Sequence, residues 1–307
     1  KTYGFKCYTA IDDENDTCIP LVLIDNLMGK KLATLPFSDY TDISTDAPMK
    51  YDALIAKIIA EFPDVPLVLK TIGKTDTNLW GDVIRTAYYH RIDTSSETEW
   101  SKTQSGSFKR NVNKAKKTGV SVEVKKDSIA LLDFYRLYAD LRMNKFNSIP
   151  QPFHFFERVF DEFVAKKNGF IVEAAFEGET IASIIVLQYK NVLYYKFGAS
   201  DEEYLNLRPN NLLFDKLIHY AFANGIKEID LGLSGTGDDY KGLVRFKESM
   251  GGVAHDIVYY RKQENGQENT NEALGQWLKA LTDEIVATKP ALKTLSRLSS
   301  HIYPLFA

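Results

Sequence analysis

The chain has 307 residues, of which 44% are hydrophobic and 26% are charged, and its formal net charge is −3. This composition is typical of a globular protein with room for two domains, each with its own core. The small negative charge excludes a general attraction to DNA or to an anionic membrane, so any such contact has to be local. No apolar run approaches the roughly 20 residues that span a bilayer.

The chain begins at Lys1, directly in a strand-like pattern, and we interpret it as a fragment or processed form with N-terminal helices or a leader upstream. Cys7 and Cys18 alternate with apolar residues on neighbouring predicted strands, and we expect both to be buried thiols. The histidines lack the spacing of metal ligands, so the sequence predicts no metal site. They are His90, His154, His219, His255 and His301.

The first half begins with alternating apolar and polar residues, a pattern that indicates strands. An amphipathic helix with a buried face follows them. We predict strands at Tyr3–Ile11, Thr17–Ile24 and Lys31–Pro36, a helix at Met49–Phe62, a strand at Pro66–Ile72, a short turn or helix at Asn78–Asp82 and a strand at Arg85–Ile92. Residues 93–104 are polar and rich in Ser and Thr, and we expect an irregular connection there.

A strongly basic helix is predicted at Ser105–Thr118, ended by Gly119. Its cations either form a solvated face or bind an anionic ligand, because Arg110, Lys114 and Lys117 repeat at helical spacing. The elements predicted after it are a strand at Val120–Val124, helices at Ser128–Lys145 and Phe153–Lys167, and strands at Gly169–Phe176 and Thr180–Tyr189.

The clearest pattern lies between Val192 and Gly252. A strand (Val192–Gly198), a loop (Ala199–Arg208), a helix (Pro209–Gly225) and a buried strand (Ile226–Leu231) predict a parallel crossover unit. Ligands gather where such strands end, and this position is followed by a Gly-rich loop, a helix at about Tyr240–Met250 and a strand at Val253–Arg261.

Two amphipathic helices, Thr270–Ala287 and Ala291–Tyr303, are predicted in the tail, separated at Pro290. The last helix carries Lys293 and Arg297, and contact with a membrane surface is an alternative to simple docking on the core.

The two halves repeat one order of elements. Strand, strand, loop, helix and strand begin at Thr17 and again at Thr180, about 160 residues later. This repetition predicts a duplicated domain whose second copy is complete and whose first copy lacks its N-terminal helices.

The order in the second half is that of the GNAT acyltransferase fold. With the tandem arrangement, three stretches make the chain resemble the FemABX family and the FemAB-like or CelD-BioF2-like acyltransferases. These are Leu35-Pro36-Phe37-Ser38-Asp39-Tyr40, the segment from Arg110 to Val120, and Tyr240 with Arg245-Phe246-Lys247 and Gly251-Gly252. The resemblance implies an α+β (α/β) fold of two tandem GNAT-like domains with mixed central sheets. Residues 1–104 would form the first, acceptor-side domain, 105–265 the second, catalytic domain, and 266–307 a tail of amphipathic helices.

The resemblance also implies a function. The protein is expected to be a cytoplasmic transferase at the inner face of the membrane that forms an amide by moving an aminoacyl or acyl group onto an amine of a peptidoglycan or surface-glycan precursor. The implied donor is aminoacyl-tRNA, with no cofactor, and peripheral membrane contact is a further option. The coiled-coil arm of some family members is absent. Two alternatives stay open: an acyl-CoA-dependent GNAT N-acyltransferase and a non-catalytic module that binds glycan or peptide.

Lys247 resembles the lysine that Fem transferases place at the reacting carbonyl or the tRNA terminus. A cation there offsets the negative charge that develops on an oxyanion. Phe246 and Tyr240 are the other catalytic candidates, and the alternative for Lys247 is a surface lysine on a short helix. The substrate-binding candidates are Arg110, Lys114, Asp39, Tyr40, Arg208, Asn210 and Arg245.

The loop before the helix at Pro209 disfavours acyl-CoA. Enzymes of this fold bind pyrophosphate there with glycines and free N–H groups. Here the stretch Ser200–Asn210 has no glycine, carries Asp201-Glu202-Glu203, and loses one donor at Pro209. The equivalent loop of the first half, Ser38–Pro48, is also acidic and glycine-free, and an acceptor pocket is its expected use. Asp39 is a candidate for taking the proton of the amine, whereas Asp230 is expected to bind loop amides.

Overall fold

The computed structural model describes residues 2–14, 16–41, 43, 49–74, 78–262 and 272–307. The strands are β1 (Lys6–Asp12), β2 (Thr17–Asn26), β3 (Gly29–Thr34), β4 (Leu67–Ile72), β5 (Asp82–Asp93), β6 (Ser121–Lys125), β7 (Gly169–Phe176), β8 (Glu179–Tyr189), β9 (Val192–Ser200), β10 (Glu228–Gly235) and β11 (Val253–Lys262). The α-helices are α1 (Met49–Glu61), α2 (Glu97–Thr103), α3 (Gly106–Lys117), α4 (Ser128–Asp140), α5 (Phe153–Val159), α6 (Pro209–Ala223), α7 (Lys241–Ser249), α8 (Glu272–Ala287) and α9 (Leu292–Ile302).

The described strands form one mixed sheet in the order β1-β2-β3-β4-β11-β5-β10-β9-β8-β7-β6. Two crossover units repeat within it. Strand β3 leads through α1 to the parallel strand β4, and β9 leads through α6 to the parallel strand β10. The predicted mixed α/β fold with a repeated unit is therefore confirmed.

The two halves of the chain share their central strands. Strand β5, from the first half, lies between β10 and β11 of the second half and pairs with both in antiparallel fashion. Strand β11 in turn pairs with β4. One sheet thus extends through both predicted domains. The boundary predicted at residue 104 stays a prediction, and the one at residue 265 lies outside the described residues.

Alternation along the strands gives the sheet two apolar faces in the second half. On β7, Phe170 and Val172 belong to the core under α3 and α6, whereas Ile171 belongs to the core under α4 and α5. Side chains of successive strand residues point to opposite faces, so one short run of apolar residues supplies both layers. The sheet is consequently buried on both sides in this half, as its near-continuous apolar strands predict.

Residues 93–104 correct one prediction, because they contain helix α2 rather than an irregular connection. Ser96 caps this helix, and its hydroxyl accepts a hydrogen bond from the Glu99 amide at 3.3 Å. A Ser followed three residues later by Glu is the sequence signal of such a cap, and the polar composition masked it. The indole of Trp100 then donates to the Met250 carbonyl at 2.8 Å, which fixes α2 beside the end of α7.

Other boundaries differ for physical reasons. The loop predicted at Ala199–Arg208 contains a 3-10 helix, Glu202–Leu207, whose first turn is capped by Asp201. The predicted helices at 128–145 and 153–167 end as π-helical segments, Leu141–Lys145 and Phe160–Val164. In the second of these helices Phe156 is buried in the core, whereas Phe163 is exposed.

Cys7 and Cys18 are exposed, and the prediction of two buried thiols is wrong. Strand β1 is the edge of the sheet, so it has a neighbour on one side alone. On β2, Ile19 and Leu21 point to the face covered by α1, whereas Cys18 points to the other face, which is buried farther along the strand at Val22 and Ile24. Alternation places a residue on a face but does not say how far that face is covered.

The tail packs on the body of the protein through α8 and α9, where Leu278 and Leu295 join Ala139 and Ile149 in one apolar cluster. The start predicted for the first tail helix, Thr270, lies outside the described residues. Within the ranges given above, no helix has both the length and the apolar character to cross a membrane.

Trp80 anchors the core of the first half. Its side chain is 0% exposed, its indole N–H donates to Asp52 Oδ1 at 2.8 Å, and its ring meets Tyr260 edge-on at 5.6 Å. We expect Trp80→Ala to lower the free energy of unfolding by about 3–5 kcal/mol through lost burial and the cavity it leaves. Urea denaturation measures this loss. Trp277, 54% exposed, is the matched control, and Trp277→Ala is expected to cost less than about 0.5 kcal/mol.

Candidate active site

Strands β9 and β10 separate in the middle of the sheet. Their parallel pairing covers Glu228–Asp230 against Val192–Tyr194 and then ends, although both strands continue. Each strand has an irregularity there: β10 shifts register against β5 between Asp230 and Leu233, and β9 shifts against β8 around Tyr195. The unpaired backbone beyond this point creates an opening in the sheet, and ligands of open α/β sheets bind at such positions.

Lys247 reaches this opening from α7. Its side chain is 2% exposed, and its ammonium donates to the carbonyl oxygens of Gly232 at 2.7 Å and Leu233 at 3.0 Å. These carbonyls belong to the irregular part of β10. An ammonium has three donors, and the described residues supply partners for two of them. The alternative of a surface lysine is therefore excluded by its burial.

Two carboxylates compensate the buried charge of Lys247. Burial lowers the pKa of Lys247 to about 8, while the negative charges of Asp39 and Asp230 act in the opposite direction. Burial also lowers the pKa of His90, on the neighbouring strand β5, to about 4, so that its imidazole is neutral near pH 7. The ammonium of Lys247 therefore loses its proton in the mildly alkaline range.

The first half of the chain contributes the segment Ser38–Tyr40 to this site. Asp39 Oδ2 lies 3.1 Å from the ammonium of Lys196 on β9, and the hydroxyl of Tyr40 donates a short hydrogen bond to Asp230 on β10. Lys70 fixes the segment from β4 by donating to the Ser38 carbonyl at 3.0 Å. Burial lowers the pKa of Lys70 to about 8 and raises that of Tyr40. Groups from both halves therefore form one network.

Two cavities adjoin the opening, and Tyr195 lines both. The larger, about 570 Å³, is lined by Asp39, Tyr40 and Asp230 together with three cations, Lys167, Lys190 and Lys196. The smaller, about 320 Å³, is lined by Lys247, Phe246, Phe214, Ser200 and Asn210, among others. Burial, aided by the charge of Asp39, raises the pKa of Tyr195 to about 12, so its phenol stays protonated. The arrangement can hold two reactants on either side of one tyrosine, next to a buried ammonium.

Five of the predicted site residues come together here. Asp39 and Tyr40 line the larger cavity, and Lys247, Phe246 and Asn210 line the smaller one. Phe246 packs edge-on against Phe214 at 5.6 Å, and the amide oxygen of Asn210 accepts a hydrogen bond from the Ser200 hydroxyl at 2.8 Å.

The other predicted site residues line neither cavity. Arg110 and Lys114 are exposed on α3, which packs along α6, and Arg245 is exposed on α7. Arg208 occupies the left-handed region, with φ 64°, immediately before α6. Tyr240, 39% exposed, covers the backbone at Gly235, where an added Cβ would lie 2.5 Å from its ring. A contact of these five residues with a substrate stays a prediction.

Three residues of the candidate site were missed by the sequence reasoning: Tyr195, Lys196 and Lys70. The first two stand in an apolar strand that precedes the crossover helix, and that position could have identified them. Lys70 carries no such signal, because it reaches the segment Ser38–Tyr40 only through the pairing of β4 with β3, which precedes that segment. Asp230 was expected to bind loop amides, and its Oδ1 indeed accepts from the Gly232 amide at 2.7 Å.

The start of α6 is poorly suited to a pyrophosphate. Pro209 is its first residue, the preceding Arg208 provides no side-chain cap, and no glycine stands in the turn before it. Glu202 projects from that turn and pairs with Lys145 at 2.9 Å across the rim of the smaller cavity. The N–H donors and positive potential that bind phosphates at helix starts are therefore reduced here.

Gly232 lies just beyond the last paired residues of β9 and β10, where the two backbones are still close to each other. Its φ is +71°, and a Cβ added there would lie 3.1 Å from the Tyr195 carbonyl oxygen. We expect Gly232→Ala to cost more than the ~1–2 kcal/mol of left-handed strain alone. Gly225 has φ +66° with no atom within 4 Å of such a Cβ, so Gly225→Ala gives the strain without the clash. Equal losses in urea denaturation would contradict a close approach at Gly232.

Comparison with known proteins agrees with this architecture. Residues 102–242 match the acetyltransferase (GNAT) domain, and no curated protein sequence matches the chain. The crystal structure of FemX is 14% identical, with 90% of this chain and 91% of that chain covered and a TM-score of 0.62. The C-terminal domain of an Agrobacterium fabrum protein named as a lysylphosphatidylglycerol synthetase is 12% identical (90% and 89% covered, TM-score 0.59). L-PGS from Bacillus licheniformis is also 12% identical (94% and 90% covered, TM-score 0.57).

The domain match shows that residues 102–242 form a GNAT-type acyltransferase domain. Within that class, the fold of nearly the whole chain is similar to that of FemX.

Proposed function

We propose that this acyltransferase moves an aminoacyl group from aminoacyl-tRNA onto an amine of an anionic cell-wall or surface-glycan precursor at the cytoplasmic face of the membrane. The observation that carries the proposal is the meeting of two cavities at Tyr195, beside the buried ammonium of Lys247. Transfer between two substrates requires both to be held against one reacting carbonyl, and the site has a place for each.

The smaller cavity suits the donor. Its apolar walls, Phe214 and Phe246, can receive an aminoacyl group, and Lys247 can stabilise the oxyanion that forms when the ester carbonyl is attacked. The acidic, glycine-free turn before α6 disfavours the diphosphate of CoA. A tRNA terminus, by contrast, can place its phosphates farther out, near the exposed cations Arg245, Arg110 and Lys114 of α7 and α3.

The larger cavity suits the acceptor. Lys167, Lys190 and Lys196 give it a positive rim, which attracts a precursor carrying phosphate or carboxylate groups. Asp39, which lines this cavity, accepts the proton that the amine loses as it attacks in this proposal. The amine nitrogen forms a bond to the carbonyl carbon, the ester bond to the ribose oxygen breaks, and that oxygen takes up a proton. The name of the lysylphosphatidylglycerol synthetase relatives describes an aminoacylated anionic acceptor, which supports this class.

Calorimetry with the full chain tests the donor. A hydrolysis-resistant aminoacyl-adenosine, with an amide in place of the ester, is expected to bind, and acetyl-CoA is expected to give no heat. Replacing Phe214 by Ala should weaken binding of the analogue about tenfold or more, because the residue walls the cavity. Acetyl-CoA binding in the micromolar range, without binding of the analogue, would instead favour an acyl-CoA-dependent enzyme.

A further inference from the structure

A third cavity, of about 480 Å³, lies between the start of α5 and the outer face of α9. It shares no lining residue with the two cavities of the candidate active site. Its walls are His154, Lys293, Thr294, Ser296, Arg297 and Ser300. All six side chains carry hydrogen-bond donors or can do so, and no carboxylate lines the cavity.

The periodicity of α9 produces this wall. Leu295, Ser299 and Ile302 are buried against the body of the protein. The residues at positions 293, 296, 297 and 300 recur every three or four residues and therefore form one stripe along the outer side. Ser296 ties the stripe to α5, because its hydroxyl accepts a hydrogen bond from the Phe153 amide at 2.8 Å. The side chains converge because two helices meet here.

The charge of this cavity is uncompensated. Within the described ranges no carboxylate lies in ion-pair distance of Lys293 or Arg297, whereas Lys279 on the neighbouring α8 pairs with Asp283 at 3.0 Å. Two cations four residues apart on one helix repel each other. Such an arrangement is stabilised when an anion binds between them.

We infer that this cavity is a binding site for a phosphate group. The guanidinium of Arg297 can hold two phosphate oxygens at once, Lys293 supplies a compact positive charge, and the hydroxyls of Thr294 and Ser300 supply neutral donors. The phosphate can belong to a lipid headgroup or to a small soluble molecule, since both present the same oxygens.

Titration with inorganic phosphate and pyrophosphate, followed by calorimetry of the intact chain, tests the site. We expect binding that weakens with added salt and that falls roughly tenfold or more in a Lys293→Gln/Arg297→Gln double variant, since charge-assisted hydrogen bonds dominate. Lys50→Gln/Lys57→Gln on α1 changes the net charge equally at exposed positions and is expected to bind as the parent does. Arg297→Lys keeps the charge but loses the planar fork, and an intermediate loss is expected.

Vesicle sedimentation separates the two sources of phosphate. Binding to vesicles containing phosphatidylglycerol but not to neutral phosphatidylcholine vesicles, lost in the double variant, assigns a lipid headgroup. Binding of phosphate or pyrophosphate alone assigns a soluble ligand. Absence of both, or binding that survives in the folded double variant, overturns the site. These measurements need no transfer activity, so they are independent of the proposed function.

Discussion

Replacing Lys247 by Met is expected to lower the rate of aminoacyl transfer about 10²-fold or more, the effect of removing one oxyanion donor from a water-poor site. Methionine keeps the approximate volume but cannot donate to the Gly232 carbonyl or to a reacting oxygen. A single-turnover transfer assay measures the loss. Lys241→Met is the matched control, because Lys241 lies on the same helix with its ammonium 2.8 Å from Asp238 at the surface.

The same lysine predicts a pH dependence. Its pKa is lowered to about 8 by burial, so the ammonium form is complete below that pH and is lost as the pH rises through it. The transfer rate is therefore expected to fall as the pH rises through this pKa, which gives the pH-rate profile an alkaline limb. If the role of Lys247 were purely structural, Lys247→Met would unfold more easily but, when folded, would transfer at the parent rate. Urea denaturation of the variant, measured together with the kinetic assay, distinguishes a catalytic from a purely structural role of Lys247.

Replacing Asp39 by Asn is the second change with a large expected effect, about a 10²-fold lower rate, since it removes the carboxylate that we propose as proton acceptor for the amine. Asp39 also raises the pKa of Lys247, so its neutralisation is expected to move the alkaline limb to lower pH. The pH-rate profile measures both effects in one experiment.

Asp238→Asn is the control for this prediction, because it removes an exposed carboxylate from the loop before α7. It is expected to leave the rate and the profile unchanged. If Asp39→Asn lowered the rate without moving the alkaline limb, the two charges would act separately, and the network across the two halves of the chain would be refuted.

The sequence predicts local order better than long-range contacts. Helix α6 and strand β10 follow from Pro209, the apolar repeat and Gly225, which are local signals. The repeat in the two halves predicts the crossover units. What cannot be read locally is the insertion of β5 between β10 and β11, since pairing between distant strands leaves no mark in either segment.

The candidate site, too, could be predicted only where local sequence patterns were enough. Lys247 and Phe246 were identified by a resemblance, and the fold brings them to the opening next to Asp39 and Tyr40. Arg110 and Lys114 formed an equally clear pattern, but α3 lies along α6 and these two exposed side chains line neither cavity. Helical spacing shows which side chains share a face, whereas only the packing of the helix shows what that face meets.

The most direct measurement is a crystal structure of the full chain with the hydrolysis-resistant aminoacyl-adenosine. The account predicts the aminoacyl carbonyl in the smaller cavity at Tyr195, its oxygen within about 3 Å of the Lys247 ammonium, and the larger cavity open to the amine. An analogue bound with its carbonyl away from Lys247, on the far side of α7 or in the larger cavity, would contradict it.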